Sequence, residues 1–389
     1  MKVPDSLIFS IFKEQDGRIR ERLLDKGLEI STGKKYMRIS EDVWATYNVL
    51  NLKEDLARLS QHSKNRLFAD MNMSFVDSVL GNIEDILKGL YTKGIQAKNA
   101  VNTPDQLNAV SEYFSESLQL LLSKANEKLG NNFIFSGASL DVKPFDDNFN
   151  YNGSEESFKV WVAEEQLTEV FMPGSKVFTI NSVLSSSTFS TAEDPLSTLG
   201  FVGSGTITIT YGSSTYTVNY SDTDSLKDIA DRINSDTGGD VRAFVTENQD
   251  GTFSLRIVGE DVRKDISVTD SVGGAFGTFN SESIFNVVSR IRDKMSKGFY
   301  PDDSDIFVLQ RSYDHIALKR SEVGSKLSSV RQEETAQENK ELSLRKTKSD
   351  IEDADLSDSV TEYTRYRLAY EALMRIVADQ KDITILRYL

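Results

Sequence analysis

A chain of 389 residues with a formal net charge of −15 has room for two or three domains and is poorly suited to gripping a phosphate backbone. With 39% hydrophobic and 27% charged residues it holds enough apolar material to fold, so wholesale disorder is excluded. It has no Cys, which excludes disulfides, thiol catalysis and Cys-ligated metals, and only two His, so a zinc site would have to lean on carboxylates.

The opening Met1-Lys2-Val3-Pro4-Asp5 does not read as a signal peptide: the apolar stretch from Leu7 to Phe12 is short, Lys13-Glu14 interrupts it and no small-residue cleavage pattern follows. No apolar run is long enough for a membrane span, so no membrane insertion is expected. Ile8, Phe12, Ile19, Leu23 and Ile30 recur at helical spacing, predicting a first helix from Leu7 to Ile30 that Gly33 ends in a left-handed conformation. Ser40 or Asp42 can cap the next helix, whose apolar series runs from Val49 to Leu90. Unbroken over residues 43–98, it would span roughly 80 Å. Thr103-Pro104-Asp105-Gln106 is a capping box with Pro in the first turn, and it opens a third helix carrying Leu107, Val110, Phe114, Leu118 and Leu121 on one face.

From Phe133 the pattern changes. Phe158–Val162 and Val177–Ile180 read as strands with a Pro173-Gly174 turn between them, and the Ser/Thr/Gly-rich residues 181–205 read as a surface loop. Strands at Thr206–Thr210 and Tyr216–Tyr220, a short helix with Leu226, Ile229, Ala230 and Ile233, and strands at Val241–Val245 and Phe253–Ile257 make a ββαββ unit, read as a small inserted subdomain over 206–258. Helix resumes at Ile284 and ends near Gly298. Beyond Pro301, Leu309, Ile316, Val323, Val330, Gln337, Leu344 and Ile351 repeat every seven residues, predicting a bundle-packed, coiled-coil-like helix over Ser304–Asp350. The last stretch carries Leu356, Val360, Leu368, Leu373 and Val377 and closes with Ile383, Ile385 and Leu389.

The fold expected is therefore mainly α with β insertions. The N- and C-terminal regions form a long antiparallel helical rod, and a β-rich outer region projects laterally from it. The predicted boundaries are 1–42 and 356–389 for inner terminal helices ordered on assembly, 43–135 and 281–355 for the rod, and 136–280 for the outer β-rich domain. Self-assembly is assigned to Ile8, Phe12, Ile19, Leu23, Leu368, Leu373, Val377, Ile385 and Leu389, and rod packing to Leu309, Ile316, Val323, Val330, Leu344 and Ile351.

Little chemistry survives inspection. Gly27 and Gly33-Lys34 have the wrong spacing for a phosphate loop, with Lys35 where a magnesium-binding hydroxyl belongs. Asp302-Asp303-Ser304-Asp305 lacks the turn Gly and distal Glu of a calcium loop and reads as a helix cap. His62 and His315 read as surface or interface residues, and no nucleophile–base pair can be built around them, so no catalytic, cofactor-binding or metal residue is assigned and no cofactor is expected. Tyr363, Arg365, Tyr366, Arg367 and Tyr370 interleave aromatics with Arg; in an acidic chain they read as interface anchors rather than nucleic-acid contacts.

Three groups of residues carry a resemblance. They are Leu28–Lys35 followed by Ser40-Glu41-Asp42; Asn131-Asn132-Phe133-Ile134-Phe135-Ser136-Gly137 with Pro144-Phe145-Asp146, Tyr151-Asn152-Gly153 and the acidic turn Ala163-Glu164-Glu165; and Asp350–Leu356 with Ala369–Leu373. In that order the chain resembles the flagellin-related family of hook-filament junction proteins (hook-associated protein 3), and Ser225–Val258 resembles an insertion motif of flagellins and hook-associated proteins. Val43-Trp44 departs from the family's usual acidic-Pro/Ala pattern. Flagellin itself is the neighbouring alternative, and a secreted fibre protein would also explain the rods. The resemblance implies a structural adaptor, not an enzyme, in a ring of about eleven copies. It would have hook-associated protein 1 on the hook side, flagellin on the filament side and an export chaperone before secretion. It implies a flagellar location, extracellular or periplasmic according to organism, reached without a cleaved signal peptide. It also marks Phe133, Phe135 and Gly137 as the passage from rod to outer domain.

Overall fold

The computed structural model describes residues 5–35, 42–99 and 103–385; within these, side chains are described from Ser10 to Asp379. The chain divides into two compact units, one of residues 1–64 and 334–389, the other of residues 65–333.

The elements begin with three helices, α1 (Asp5–Thr32), α2 (Val43–Asn99) and α3 (Pro104–Ala125). Each predicted stop and start has its physical cause in place. Gly33 takes φ +69° and closes α1 through its amide to the Glu29 carbonyl at 2.7 Å. Asp42 caps α2 by accepting from the Ala45 amide at 2.8 Å, and Thr103 and Gln106 form the reciprocal box at α3. The alternative cap Ser40 lies outside the described residues.

Two miniature strands follow, β1 (Lys128–Leu129) and β2 (Asn132–Phe133), then the hairpin of β3 (Phe158–Ala163) and β4 (Gln166–Phe171). A single-turn helix α4 (Gly174–Phe178) leads into β5 (Thr179–Ser185). Val177-Phe178 was expected as strand; both side chains are buried, and one helical turn delivers Phe178 onto Phe135, Phe145 and Phe285. Residues 181–205 are likewise not one loop, because β5 occupies their first five positions and Leu196 is fully buried. Ser/Thr composition hid a strand whose faces are both covered.

The ββαββ order holds: β6 (Ser204–Tyr211), β7 (Ser214–Ser221), α5 (Leu226–Asp236), β8 (Val241–Glu247) and β9 (Phe253–Gly259), then β10 (Ile266–Asp270) and β11 (Phe279–Ser283). Its two hairpins, however, belong to different sheets. One sheet runs β10-β6-β7 and the other β11-β5-β9-β8, all pairs antiparallel. The segment 206–258 shares one apolar core with Val183, Phe189, Leu196, Val268 and Phe276 from outside it. Amphipathic α5 buries Leu226, Ile229, Ala230 and Ile233 in that core.

Three helices complete the chain: α6 (Ile284–Ser296), α7 (Asp303–Glu352) and α8 (Leu356–Ile385). Within residues 65–333, α2 and α7 run antiparallel, as the Asp70–Arg331, Asp77–Arg320 (3.2 Å) and Lys98–Asp303 pairs fix. Gly94 lets the two helices approach closely; a Cβ there would lie 3.1 Å from Ile306 Cδ1 and 3.2 Å from Leu309 Cδ1.

Between the helices and the sheets lies a buried ionic cluster that sequence reading missed. Arg256 of β9 is 0% exposed. It pairs with Glu282 at 3.1 Å and Asp305 at 3.3 Å; Arg290 joins Glu282, and Lys294 reaches Asp302 at 2.7 Å and Asp305 at 2.9 Å. Three cations face three carboxylates. Asp302 and Asp305 are a helix cap, as expected, since each carboxylate accepts from the other's backbone amide, but they serve this cluster as well. His315 is also buried, contrary to its assignment as a surface or interface residue. Burial, then the nearby Lys319 charge, pushes its pKa down to about 4, so it is neutral, with Nε2 at 3.2 Å from the Lys176 carbonyl.

Candidate assembly surface

In the unit of residues 1–64 and 334–389, α1 and α8 pack antiparallel, each step up one matched by a step down the other. Arg20 Nη2 donates to the Tyr370 hydroxyl at 3.0 Å and lies over its ring at 5.5 Å; Arg22 does the same with Tyr366 at 3.4 and 5.9 Å. Lys26 pairs with Glu362 at 3.2 Å, Gly27 sits against the Tyr363 ring, and the Ser359 hydroxyl donates to Glu29 at 2.9 Å. The tyrosines singled out in the sequence are thus anchors of an intramolecular seam. Their partners Arg20 and Arg22 were not foreseen, because nothing local links two arginines to tyrosines some 350 positions away.

The seam ends in a small clasp. Lys34 and Asp353 form an antiparallel bridge, with the Lys35 amide donating to the Glu352 carbonyl and the Ala354 amide to the Gly33 carbonyl, both at 2.9 Å. The Glu352 side chain, 9% exposed, collects Lys34 at 2.5 Å, Lys348 at 2.9 Å and Lys53 at 3.1 Å. Burial alone would raise its carboxyl; the three lysines outweigh that and hold it at about 2. Lys34 therefore has a structural partner in place of a phosphate.

Of the residues assigned to self-assembly, Phe12, Ile19, Leu23 and Leu373 are half-buried, whereas Leu368 is 56% and Val377 36% exposed. The side chains of Ile8 and Ile385, and the whole of Leu389, lie outside what is described. Ile11, Leu24, Met374 and Ile376 are exposed too, so both helices of the pair keep large apolar side chains uncovered. The first turns of α2 add Val43, Trp44, Tyr47 and Leu50, with Trp44 70% exposed.

The rod-packing series divides. Leu309, Ile316, Val323 and Val330 are buried among residues of α2, α3 and α6, but Leu344 and Ile351 are only half-buried. At the expected passage between rod and outer domain, Phe133 and Phe135 are buried and Gly137 takes φ +63°. A Cβ on Gly137 would lie 2.3 Å from the Ser154 carbonyl oxygen and 2.5 Å from that of Glu156, so no other residue fits. Among the described residues no helix is long and apolar enough to cross a membrane and no group of acidic and His residues could hold a metal ion.

Comparison with known proteins bears on this geometry. Residues 13–139 match the bacterial flagellin N-terminal helical region, and residues 206–258 match the flagellin hook IN motif. Flagellar hook-associated protein 3 of Escherichia coli strain K12 is 28% identical over 154 residues, 39% of this chain and 49% of that protein. The protein of the same name from Salmonella typhimurium is 27% identical over 161 residues, 41% of this chain and 50% of that one. The chain thus spans about half the length of the curated relatives it matches. A crystal structure of flagellar hook-associated protein 3 from Legionella pneumophila superposes with a TM-score of 0.53 at 17% identity, covering 78% of this chain and 98% of that one, which fixes the fold. In sequence the chain is similar to flagellar hook-associated protein 3 over about two fifths of its length, it shares that protein's fold, and it matches the flagellin N-terminal helical region and the flagellin hook IN motif.

Proposed function

We propose that the chain is a structural adaptor of the flagellar hook-filament junction, with no catalytic role. The observation that carries this reading is the antiparallel α1–α8 pair, closed by ionic and aromatic contacts yet leaving Leu24, Leu368, Ile376 and other apolar side chains without cover. Two helices of this kind are marginal in water and gain stability when neighbouring copies bury their open faces. Copies would form a ring of about eleven, with hook-associated protein 1 below and flagellin above. An export chaperone would shield the same apolar faces before secretion. On this reading residues 1–42 and 356–389 order on assembly, 43–135 and 281–355 act as the rod, and 136–280 faces outward.

Labelling the chain in native flagella and imaging the label tests the placement. A narrow band at the boundary of hook and filament is the expected result; label distributed along the filament would replace this reading with flagellin. Hydrogen exchange tests the mechanism: α1 and α8 amides exchange fast in dilute monomer and slowly once assembled. Equal, full protection in both states would remove the assembly argument.

A further inference from the structure

Helix α5 stands between the terminal strands of the two sheets, β7 of one and β8 of the other. Such strands present outward N–H and C=O groups that pair readily with another chain. Here side chains occupy those groups. Asn234 engages both backbone groups of Ala243, accepting from its amide at 2.7 Å and donating to its carbonyl at 3.0 Å, as a neighbouring strand would. Along the same edge the Thr237 hydroxyl donates to the Val241 carbonyl at 3.3 Å and Asp302 accepts from the Glu247 amide at 3.3 Å. On β7, Arg232 Nη1 donates to the Asn219 carbonyl at 2.6 Å, and Asp224, itself ion-paired to Arg232 at 2.8 Å, accepts from the Ser221 amide at 2.7 Å.

The helix period makes this possible. Residues two apart point about 200° apart, so Arg232 and Asn234 leave opposite flanks of α5 while Ile229 and Ile233 face the core between them. A solvent-facing role does not call for Asn at 234, since Asn is a poor helix former; its amide matches one strand residue donor for acceptor.

We infer that α5 is an edge guard: through Arg232 and Asn234 it keeps the strand edges of one copy from pairing with those of a second copy of this chain. The inference rests on the proposed assembly only in that crowded copies give such pairing its opportunity, and it is tested on the isolated chain, where failure leaves the junction reading untouched.

The experiment compares Asn234→Ala, Arg232→Ala and the double variant with Ile233→Val, which loosens the same helix without touching either edge. Sedimentation velocity over a concentration series reads association, and hydrogen exchange reads the Ala243 amide. Relative to the unaltered chain, Asn234→Ala speeds exchange at Ala243 at low concentration and associates at high concentration, with the Ala243 amide protected again in the associated species. The double variant associates at lower concentration, and Ile233→Val does not associate. The inference is overturned if the double variant stays as monomeric as the unaltered chain despite fast exchange at Ala243. It is equally overturned if Ile233→Val associates as strongly, or if the associated species leaves that amide unprotected.

Discussion

Replacing Glu282 with Gln removes one carboxylate from the buried cluster while keeping its shape. The carboxylate sits 4% exposed between Arg256 and Arg290 and also accepts from the Ser182 hydroxyl. Burial on its own would raise its pKa; the two guanidinium groups outweigh that and bring it from an ordinary 4.5 to about 2. That difference is worth about 3 kcal/mol at neutral pH, at roughly 1.4 kcal/mol for each unit of pKa. Removing one partner from a buried pair costs about 3–5 kcal/mol by an independent route, since the remaining charge is left in a dry site. Arg290 is the residue so stranded: burial and the Arg256 charge already pull its pKa down, and Glu282 is its counterweight. The assay is urea unfolding monitored by circular dichroism and by the fluorescence of Trp161 in a Trp44→Phe background. Because the folded pKa is depressed, the contribution is complete above about pH 4.5 and fades as pH falls towards 2, so the gap between variant and unaltered chain should close in acid. A loss below about 1 kcal/mol at pH 7, or a gap that persists unchanged at pH 2, would refute the claim that this pair is desolvated and coupled.

Four further outcomes follow from the geometry. Gly137→Ala meets two backbone carbonyl oxygens and an unfavourable φ, so it should lower stability by about 2–3 kcal/mol; a melting temperature within error of the unaltered chain contradicts the packing described. Val330→Asp places a charge in a seam that is 1% exposed and should cost about 3 kcal/mol or more, while Leu342→Asp, on a side chain 70% exposed, should change unfolding by less than about 0.5 kcal/mol. The Glu352 clasp has a depressed carboxyl, so its contribution is present above about pH 4.5 and lost towards pH 2; the protection factors of the Lys35 and Ala354 amides, taken relative to the intrinsic exchange rate at each pH, should fall over that interval and not above it. Deleting 206–258 should unfold the two sheets that share its core, because β10 loses β6 and β5 loses β9 and keeps only β11, while helices α2 and α7 stay in place; retained protection of β10 amides would instead support the inserted-subdomain reading.

Much of the helical architecture was legible because helices are written locally. A stop at Gly33, caps at Asp42 and Thr103 and the seven-residue series from Leu309 need only neighbours a turn or two away, and the chain's resemblance to flagellin-type proteins lay in short motifs near its ends, at Asn131–Gly137 and at Ser225–Val258. The residues assigned to self-assembly were legible only as apolar stripes; which of them the folded single chain covers was not. Phe12 and Leu373 lie half-buried, whereas Leu368 stays exposed.

What sequence determined by itself is where most of the longer helices begin, where α1 stops and which faces are apolar, since intrahelical hydrogen bonds and side-chain period are properties of adjacent residues. What only the tertiary structure decided is pairing across distance. It sent the two hairpins of one ββαββ run into separate sheets, and it turned Val177-Phe178 into a helical turn to fill an aromatic core. It also gathered Arg256, Glu282, Arg290, Lys294 and Asp305 from four elements, and Asp302 from the turn before α7, into one dry cluster. A buried charge or a strand edge is stable only beside its particular partner, and no local pattern names a partner that the fold alone brings near.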